Sequence, residues 1–285
     1  TRSPCGVRCM AGSKKQKLDI AVIAAAGSGT RLLPLTLHQP KAMVAIANRP
    51  LIHYVVDQIA AAGISRFVIV INPAFQAIRN YIKYQSKQKE WLKYTFIIVE
   101  NASLDFADSV MAAKRHILGS HFIAVACDDL VVDAIPPFRS FRKLFDRYRK
   151  PMVMLREITG KQVSNYGVIA GEPMAKDLWR VRDVVEKPSL KAAPSRLGAI
   201  SDYILPREIF GFIAQARKRS GGKKEVAVID AIKLYCAAGG SLIGWIFRGM
   251  HFDGGSKMGI LKASLYFGIR HPEHGEAFTK YLRSL

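Results

Sequence analysis

From Ile20 onward the chain alternates short apolar runs with amphipathic helical patterns. That alternation admits few folds besides a mixed, mostly parallel sheet flanked by helices, the α/β class. Residues 20–25, IAVIAA, form the first predicted strand and are apolar throughout, as a strand buried on both faces requires. Residues 51–62 then set Ile52, Val55, Val56 and Ile59 at helical spacing, Gly63 stops the helix, and 67–71 is the next strand. The cycle repeats with strands predicted over 95–100 and 122–127 and helical segments over 108–117 and 138–149. In the last of these Phe138, Phe141, Leu144, Phe145 and Tyr148 share one face, which leaves its arginines on a solvated outer face. Beyond Pro151 the rhythm loosens. Strands are predicted near Val153 and over 167–170, 179–185, 199–205 and 241–247, with helices over 210–216, 226–237 and 257–269. No internal repeat and no linker divides the chain, so the reading is a flexible basic tail over 1–18 followed by a single domain over 19–285.

Composition narrows the function classes. With 49% hydrophobic and 23% charged residues the chain is ordinary for a globular protein, which excludes disorder. No stretch approaches the roughly 18 uncharged apolar residues of a membrane helix, and the basic N-terminus has no apolar segment of the secretory kind, so a cytoplasmic protein without a membrane partner is expected. Four cysteines, Cys5, Cys9, Cys127 and Cys236, are too scattered for a disulfide scaffold and have no histidines at zinc-finger spacing. The 43 basic against 22 acidic residues give a net charge of +21, but 19 of those charges fall in residues 1–18, 79–93, 139–150 and 217–224. The remainder is nearly neutral. Charge alone leaves nucleic-acid binding as a minor reading, since no helix-turn-helix, RNA-binding aromatic pattern or zinc finger accompanies it.

The first strand runs into Ala26-Gly27-Ser28-Gly29-Thr30-Arg31-Leu32-Leu33-Pro34, with Thr36, Pro40 and Lys41 beyond. The third glycine of a dinucleotide fingerprint is missing, and no P-loop pattern is present. Glycines at a strand's C-terminal end nevertheless let backbone N–H groups approach an anion, and Arg31 and Lys41 add the charge a polyphosphate needs. A tight turn decorated with surface cations would read the same way.

The segment Gly27-x-Gly29-Thr30-Arg31-Leu32-x-Pro34-x-Thr36, followed by Pro40-Lys41, resembles the signature of sugar-1-phosphate nucleotidyltransferases. Asn165-Tyr166-Gly167-Val168, Glu186-Lys187-Pro188, Asp230-Ala231-Ile232, Asp253 with Gly254 and Lys257, and Gly268-Ile269-Arg270-His271 follow in the order seen in the bacterial UTP–glucose-1-phosphate uridylyltransferase family. The resemblance runs from about residue 20 to 282. It implies the Rossmann-like nucleotide-diphospho-sugar transferase fold and attack by glucose 1-phosphate on the α-phosphorus of UTP, giving UDP-glucose and pyrophosphate. Such a reaction asks for positioning and electrostatics rather than a covalent intermediate. By the same resemblance Arg31 and Lys41 are the catalytic cations, and Ala26, Gly27, Gly29, Thr30, Asn101 and Ala102 bind nucleotide. Gly167, Glu186 and Lys187 bind the sugar phosphate, and Asp128 and Asp253 ligate Mg²⁺. A homo-oligomer is also implied.

Several positions depart from that family. Its base-recognition loop falls at 101–110, where Phe106 and Asp108 stand for two glycines, so bulk and negative charge replace open backbone. Ala42 stands for Glu, Asn48 for Asp, and Ser201-Asp202 for Gly-Arg. An active nucleotidyltransferase is the first reading, and a non-catalytic paralogue that binds a sugar nucleotide or a partner protein is the alternative. His53 and His251 have no ligand spacing and read as structural or surface groups.

Overall fold

Both the apolar runs and the helical stripes become elements of one layered body. In the computed structural model, which describes residues 17–221 and 226–285, the first half comprises β1 (Ile20–Ala25), a ribbon of β2 (Ala45–Ile46) and β3 (Arg49–Pro50), α1 (Leu51–Ala60), β4 (Arg66–Ile71), α2 (Gln76–Gln85), β5 (Thr95–Glu100), α3 (Phe106–Ala112), β6 (His121–Ala126), β7 (Asp129–Val132) and α4 (Pro137–Tyr148). The second comprises β8 (Met152–Glu157), β9 (Gly167–Ala175), β10 (Leu178–Glu186), β11 (Leu197–Pro206), α5 (Ile209–Arg219), α6 (Val228–Ala237), β12 (Leu242–Ile246), β13 (Met250–Asp253), α7 (Lys257–Gly268) and α8 (Gly275–Ser284). The basic tail expected over 1–18 lies outside the described residues except for Lys17 and Leu18, as do Cys5, Cys9 and the Lys223–Lys224 end of the fourth basic stretch.

Nine strands join in the order β5-β4-β1-β6-β11-β8-β12-β10-β9. β5, β4, β1 and β6 are mutually parallel; β11 runs against β6 and β8, β12 is parallel to β8, and β10 runs against β12 and β9. Seven strands therefore share one direction, and only β10 and β11 oppose it. The continuous apolar run of β1 has its explanation in burial on both sides: Ala21 and Ile23 enter one core layer and Ile20 and Val22 the other. Helices α1, α2 and α4 close the first layer and α3, α5 and α6 the second. On α4, Phe138, Phe141 and Phe145 are buried, each contributing about 2 kcal/mol of transfer free energy. Its arginines stay outside, with Arg139 reaching the Ala61 carbonyl at 3.3 Å and Arg142 the Leu18 carbonyl at 2.5 Å.

A site follows from this topology. The parallel strands end along one edge, where the loops after β1, β5 and β6 emerge, and crevices at such strand ends are the usual ligand sites of open α/β sheets. On this edge stands the β7–β13 ribbon, which sets Asp253 opposite Asp129.

Candidate active site

The loop after β1 folds around a lysine. Gly29 adopts a left-handed conformation, φ 70°, at the start of a 3-10 turn over Thr30–Leu32. A β-carbon there would stand 2.9 Å from Thr36 Cγ2 and 3.0 Å from Lys41 Cβ, so only glycine fits. Thr36 Oγ1 donates to the Gly29 carbonyl at 2.8 Å and closes the loop. Gly27 lies so near that a β-carbon on it would be 3.9 Å from Lys41 Nζ. Ala26 is buried at the end of the strand, whereas Thr30 and Arg31 are exposed.

Lys41 points at Asp128, Nζ to Oδ2 at 2.6 Å, with the two side chains only 15% and 14% exposed. Burial disfavours the ammonium charge, but Asp128, Cys127 and Asp129 outweigh it and hold the Lys41 pKa above its ordinary value. Lys41 is fully charged at neutral pH. Asp253, brought up by β13, accepts from the Gly255 amide at 2.9 Å and faces Arg31 at 3.5 Å. These groups converge on Gly255. A β-carbon there would lie 2.5 Å from an Arg31 guanidinium nitrogen, 2.6 Å from Asp128 Oδ2 and 2.9 Å from Asp253 Oδ1. Two carboxylates around one small space suit a hard divalent cation, which takes one or two carboxylates and fills its remaining positions with water and phosphate oxygens. Among the described residues no cage of three or more His, Cys, Asp or Glu exists, so the donor set is of this open kind.

Beside this cluster opens a cavity of about 610 Å³. Arg31, Asp128 and Asp253 form one wall; Gly167, Glu186 and Lys187 form another; Phe106, Tyr203 and Ile229 supply an apolar flank. Gly167 and Glu186 are paired across β9 and β10, and a β-carbon on Gly167 would meet Ile229 at 2.9 Å and Glu186 Oε2 at 3.2 Å. Lys187 leaves the strand with φ 44°, a left-handed conformation rare for a side-chain residue, and its amide donates to the Tyr166 carbonyl at 3.0 Å. Its ammonium stands 3.6 Å from Glu186.

Not every expected residue reaches the cavity. Asn101 and Ala102 lie past the end of β5, two strands from β1, and are not among its lining. Asn101 Oδ1 accepts from the Ser103 amide at 3.2 Å, while its Nδ2 is buried without a hydrogen-bond partner among the described residues. The two departures in this loop part company. Phe106 enters the cavity wall and stacks on Tyr203, ring centroids 6.0 Å apart. Asp108 does not present its charge to the cavity, because its carboxylate pairs with Arg217 on α5.

Asp129, His251, Arg156 and Asp202 join these groups although no sequence motif assigns them a role. His251 Nε2 meets Asp129 Oδ1 at 2.7 Å, its Nδ1 meets an Arg156 guanidinium nitrogen at 2.7 Å, and the Ser201 amide donates to Asp129 Oδ2 at 3.2 Å. Burial alone would raise the Asp129 pKa; the contacts to His251 and Ser201 bring it below the ordinary carboxylate range. His251 thus lines the cavity and ties β13 to β7 with its side chain buried, so of the two readings its spacing suggested the structural one fits and the surface one does not. The available signal was the period of two in His251-Phe252-Asp253, which puts both polar groups on one strand face. Asp202 is fully buried with neither carboxylate oxygen hydrogen-bonded among the described residues, and burial followed by the charges of Asp129 and Asp128 raises its pKa well above the usual value.

The nucleotidyl transferase family profile matches residues 20–267. A UTP–glucose-1-phosphate uridylyltransferase of Pseudomonas aeruginosa is 32% identical over 274 residues, covering 89% of this chain and 97% of that protein. A Bacillus subtilis protein of the same description is 28% identical over 289 residues, covering 95% and 96%. Among solved structures, a UDP-glucose pyrophosphorylase complexed with UDP-glucose superposes with a TM-score of 0.81 at 27% identity, covering 90% of this chain and all of that one. A UTP-bound enzyme of the same kind from Acinetobacter baumannii gives 0.81 at 27% identity, covering 94% and 100%.

Proposed function

The chain belongs to the nucleotidyl transferase family, among its UTP–glucose-1-phosphate uridylyltransferases, and on that premise we propose that the crevice joins UTP to glucose 1-phosphate, forming UDP-glucose and releasing pyrophosphate. A phosphate oxygen of the sugar attacks the α-phosphorus of UTP as the bond to the β-phosphate oxygen breaks. The nucleophile is already an anion, so no general base is needed, and the protein's work is to hold two mutually repelling polyanions in line.

The convergence of Lys41, Arg31, Asp128 and Asp253 around Gly255 carries this reading. Without substrate the two cations neutralise the two carboxylates; with a triphosphate at the glycine loop, Lys41 and Arg31 turn their charge to the phosphates, where negative charge develops on the leaving group. Asp128 and Asp253 fit Mg²⁺, which when bound supplies charge neutralisation and orientation of phosphate oxygens. Gly27, Gly29 and Thr30 offer backbone to the phosphates, and Asn101, whose amide has no hydrogen-bond partner among the described residues, contacts the base together with Ala102 once the loop after β5 turns toward the crevice that neither residue now lines. Lys187 receives the sugar phosphate, Glu186 accepts from sugar hydroxyls, and Gly167 keeps that wall free of side chain.

The comparisons give the non-catalytic alternative no support, and of the two loop departures that motivated it Asp108 spends its charge on Arg217 while Phe106 alone stands in the cavity wall. The proposal includes a cytoplasmic location, and no described helix is long and apolar enough to cross a membrane. It also includes a homo-oligomer, for which the exposed Met258, Leu261 and Leu265 along α7 and Tyr281 on α8 provide the apolar surface. Light scattering reads the oligomer directly. For the reaction, pyrophosphate release with glucose 1-phosphate and Mg²⁺ is compared across the four NTPs: turnover with UTP that is lost in Asp128→Ala supports the reading, and equal inertness of both proteins with every NTP sinks it.

A further inference from the structure

Because β5, β4, β1, β6 and β8 all point the same way, the edge opposite the crevice gathers the residues that lead into them. Sheet order sets these entries side by side: Lys93 before β5, Arg66 at the head of β4, Lys17 before β1, Lys114 and Arg115 before β6, and Lys150 before β8. The segments touch. The Arg66 amide donates to the Asp19 carbonyl at 3.2 Å and the Thr95 amide to the Ser65 carbonyl at 2.8 Å. Five of the six cations are exposed, Arg66 is half-buried, and among the described residues none of the six is in an ion pair. Asp19, Asp57, Glu90, Asp146 and Glu208 are the acidic residues on or beside these segments; Asp57 and Glu90 share a groove with Lys93, and Asp146 is taken up by Arg142 and Arg149, so the edge keeps a positive excess. His116, between Arg66 and Arg115, is held below its ordinary pKa by partial burial and then by those two cations, in keeping with the crowding of charge.

Two leucines stand in the same edge. Leu92 and Leu118 are 70% and 72% exposed, and each lies three residues before its strand, beyond the end of the sheet. Three strand spacings separate them, about 14 Å. We propose that this edge docks the protein on the surface of an anionic lipid bilayer, the cations facing the headgroups and Leu92 and Leu118 entering the interface. Nucleic acid is the poorer fit. Phosphodiesters make no use of apolar tips, and the aromatics beside these cations do not offer a free face to a base: Tyr94 packs edge-on against Phe67, centroids 5.5 Å apart, with the Lys93 ammonium 5.4 Å from its ring centre, and Tyr148 carries the Arg147 guanidinium. Absence of a spanning helix, on which the expectation of no membrane partner rested, does not bear on surface docking. The crevice, at the opposite edge, stays open while the protein is docked.

The test is co-sedimentation of the full chain with phosphatidylcholine vesicles, with and without phosphatidylserine, at low salt and at about 0.5 M salt, where exposed charges are screened beyond a few ångströms. Binding is expected only to the anionic vesicles and only at low salt. Lys93→Glu/Arg115→Glu/Lys150→Glu is expected to lower the partition coefficient about 30-fold or more, and Leu92→Asp/Leu118→Asp about tenfold, with UDP-glucose formation in free solution unchanged in both. Equal binding to neutral and anionic vesicles, or none at low salt, overturns the proposal. So does indifference of vesicle binding to either variant, and so does a DNA duplex retained in place of vesicles with the leucine variant as competent as wild type.

Discussion

Lys41 and Asp128 hold each other at a depth where neither side chain is more than 15% exposed, so removing one leaves the other buried and uncompensated. Lys41→Ala is expected to lower kcat by about 10²–10³, the loss typical of a preorganised charge aimed at a transition state. Steady-state kinetics checks it, with circular dichroism to show that the fold remains. Gly255→Ala isolates the geometry from the charge, because its methyl group would sit where Arg31, Asp128 and Asp253 meet. A fall of about 10² in kcat with an intact far-UV spectrum is expected, since displacements near 1 Å at a reacting centre cost that much; wild-type kinetics would detach that convergence from catalysis. Asp202 makes the opposite prediction. Its carboxyl is buried without hydrogen-bond partners among the described residues and its folded pKa is raised, so the stability it permits is complete below the ordinary carboxylate range and is lost as pH rises through the folded value. Asp202→Asn is therefore expected to raise Tm more at pH 8.5 than at pH 5 in thermal melts. An equal shift at both pH values would mean that Asp202 is not buried as an acid.

At the scale of elements, the β7–β13 ribbon decides where Asp253 sits, and His251 joins its strands through Asp129. His251→Ala is expected to lower kcat/KM by about 10- to 100-fold, in the range seen for groups that orient metal ligands. The distinguishing readout is a rise in the Mg²⁺ concentration needed for half-maximal rate; a loss of Tm alone, with kinetics unchanged, would reduce His251 to a structural role. This ribbon was not legible in the sequence. β7 and β13 have four residues each and pair across more than a hundred residues, so beyond the short period of two in His251-Phe252-Asp253 neither periodicity nor turn chemistry marks them. By contrast β1 and β5 fall where the apolar runs predicted them, residue for residue: β1 because burial on both faces leaves an unbroken signal, and the edge strand β5, where only Val99 is buried, because residues 96–99 are an uninterrupted aromatic and β-branched run. Helix α2 was hidden in the basic stretch 79–93, its buried stripe reduced to Ile78, Ile82 and Gln85 among polar neighbours, and α8 escaped because only Gly275 in it is buried.

Across the whole molecule, two edges of one sheet divide the work. The glycine loop, Lys41 and Asp128 follow the C-terminal ends of β1 and β6, so their meeting could be inferred from the strand rhythm together with the family blocks. The contacts of Asp129 and His251 and the isolation of Asp202 could not, because they depend on tertiary neighbours that local patterns, the short period around His251 included, do not encode. The net charge of +21 is likewise uninformative as a total and instructive once mapped, since the crevice pairs its cations with carboxylates while unpaired cations collect at the opposite edge. The central claim, that the crevice around Gly255 makes UDP-glucose by positioning and charge, is tested most directly by ³¹P NMR of UTP, glucose 1-phosphate and Mg²⁺ with wild type and Asp128→Ala side by side. Wild type is expected to convert the two substrates into UDP-glucose and pyrophosphate in equal amounts while the variant leaves them unchanged. Persistence of both substrates with wild type, or product formed as fast by the variant, would contradict it.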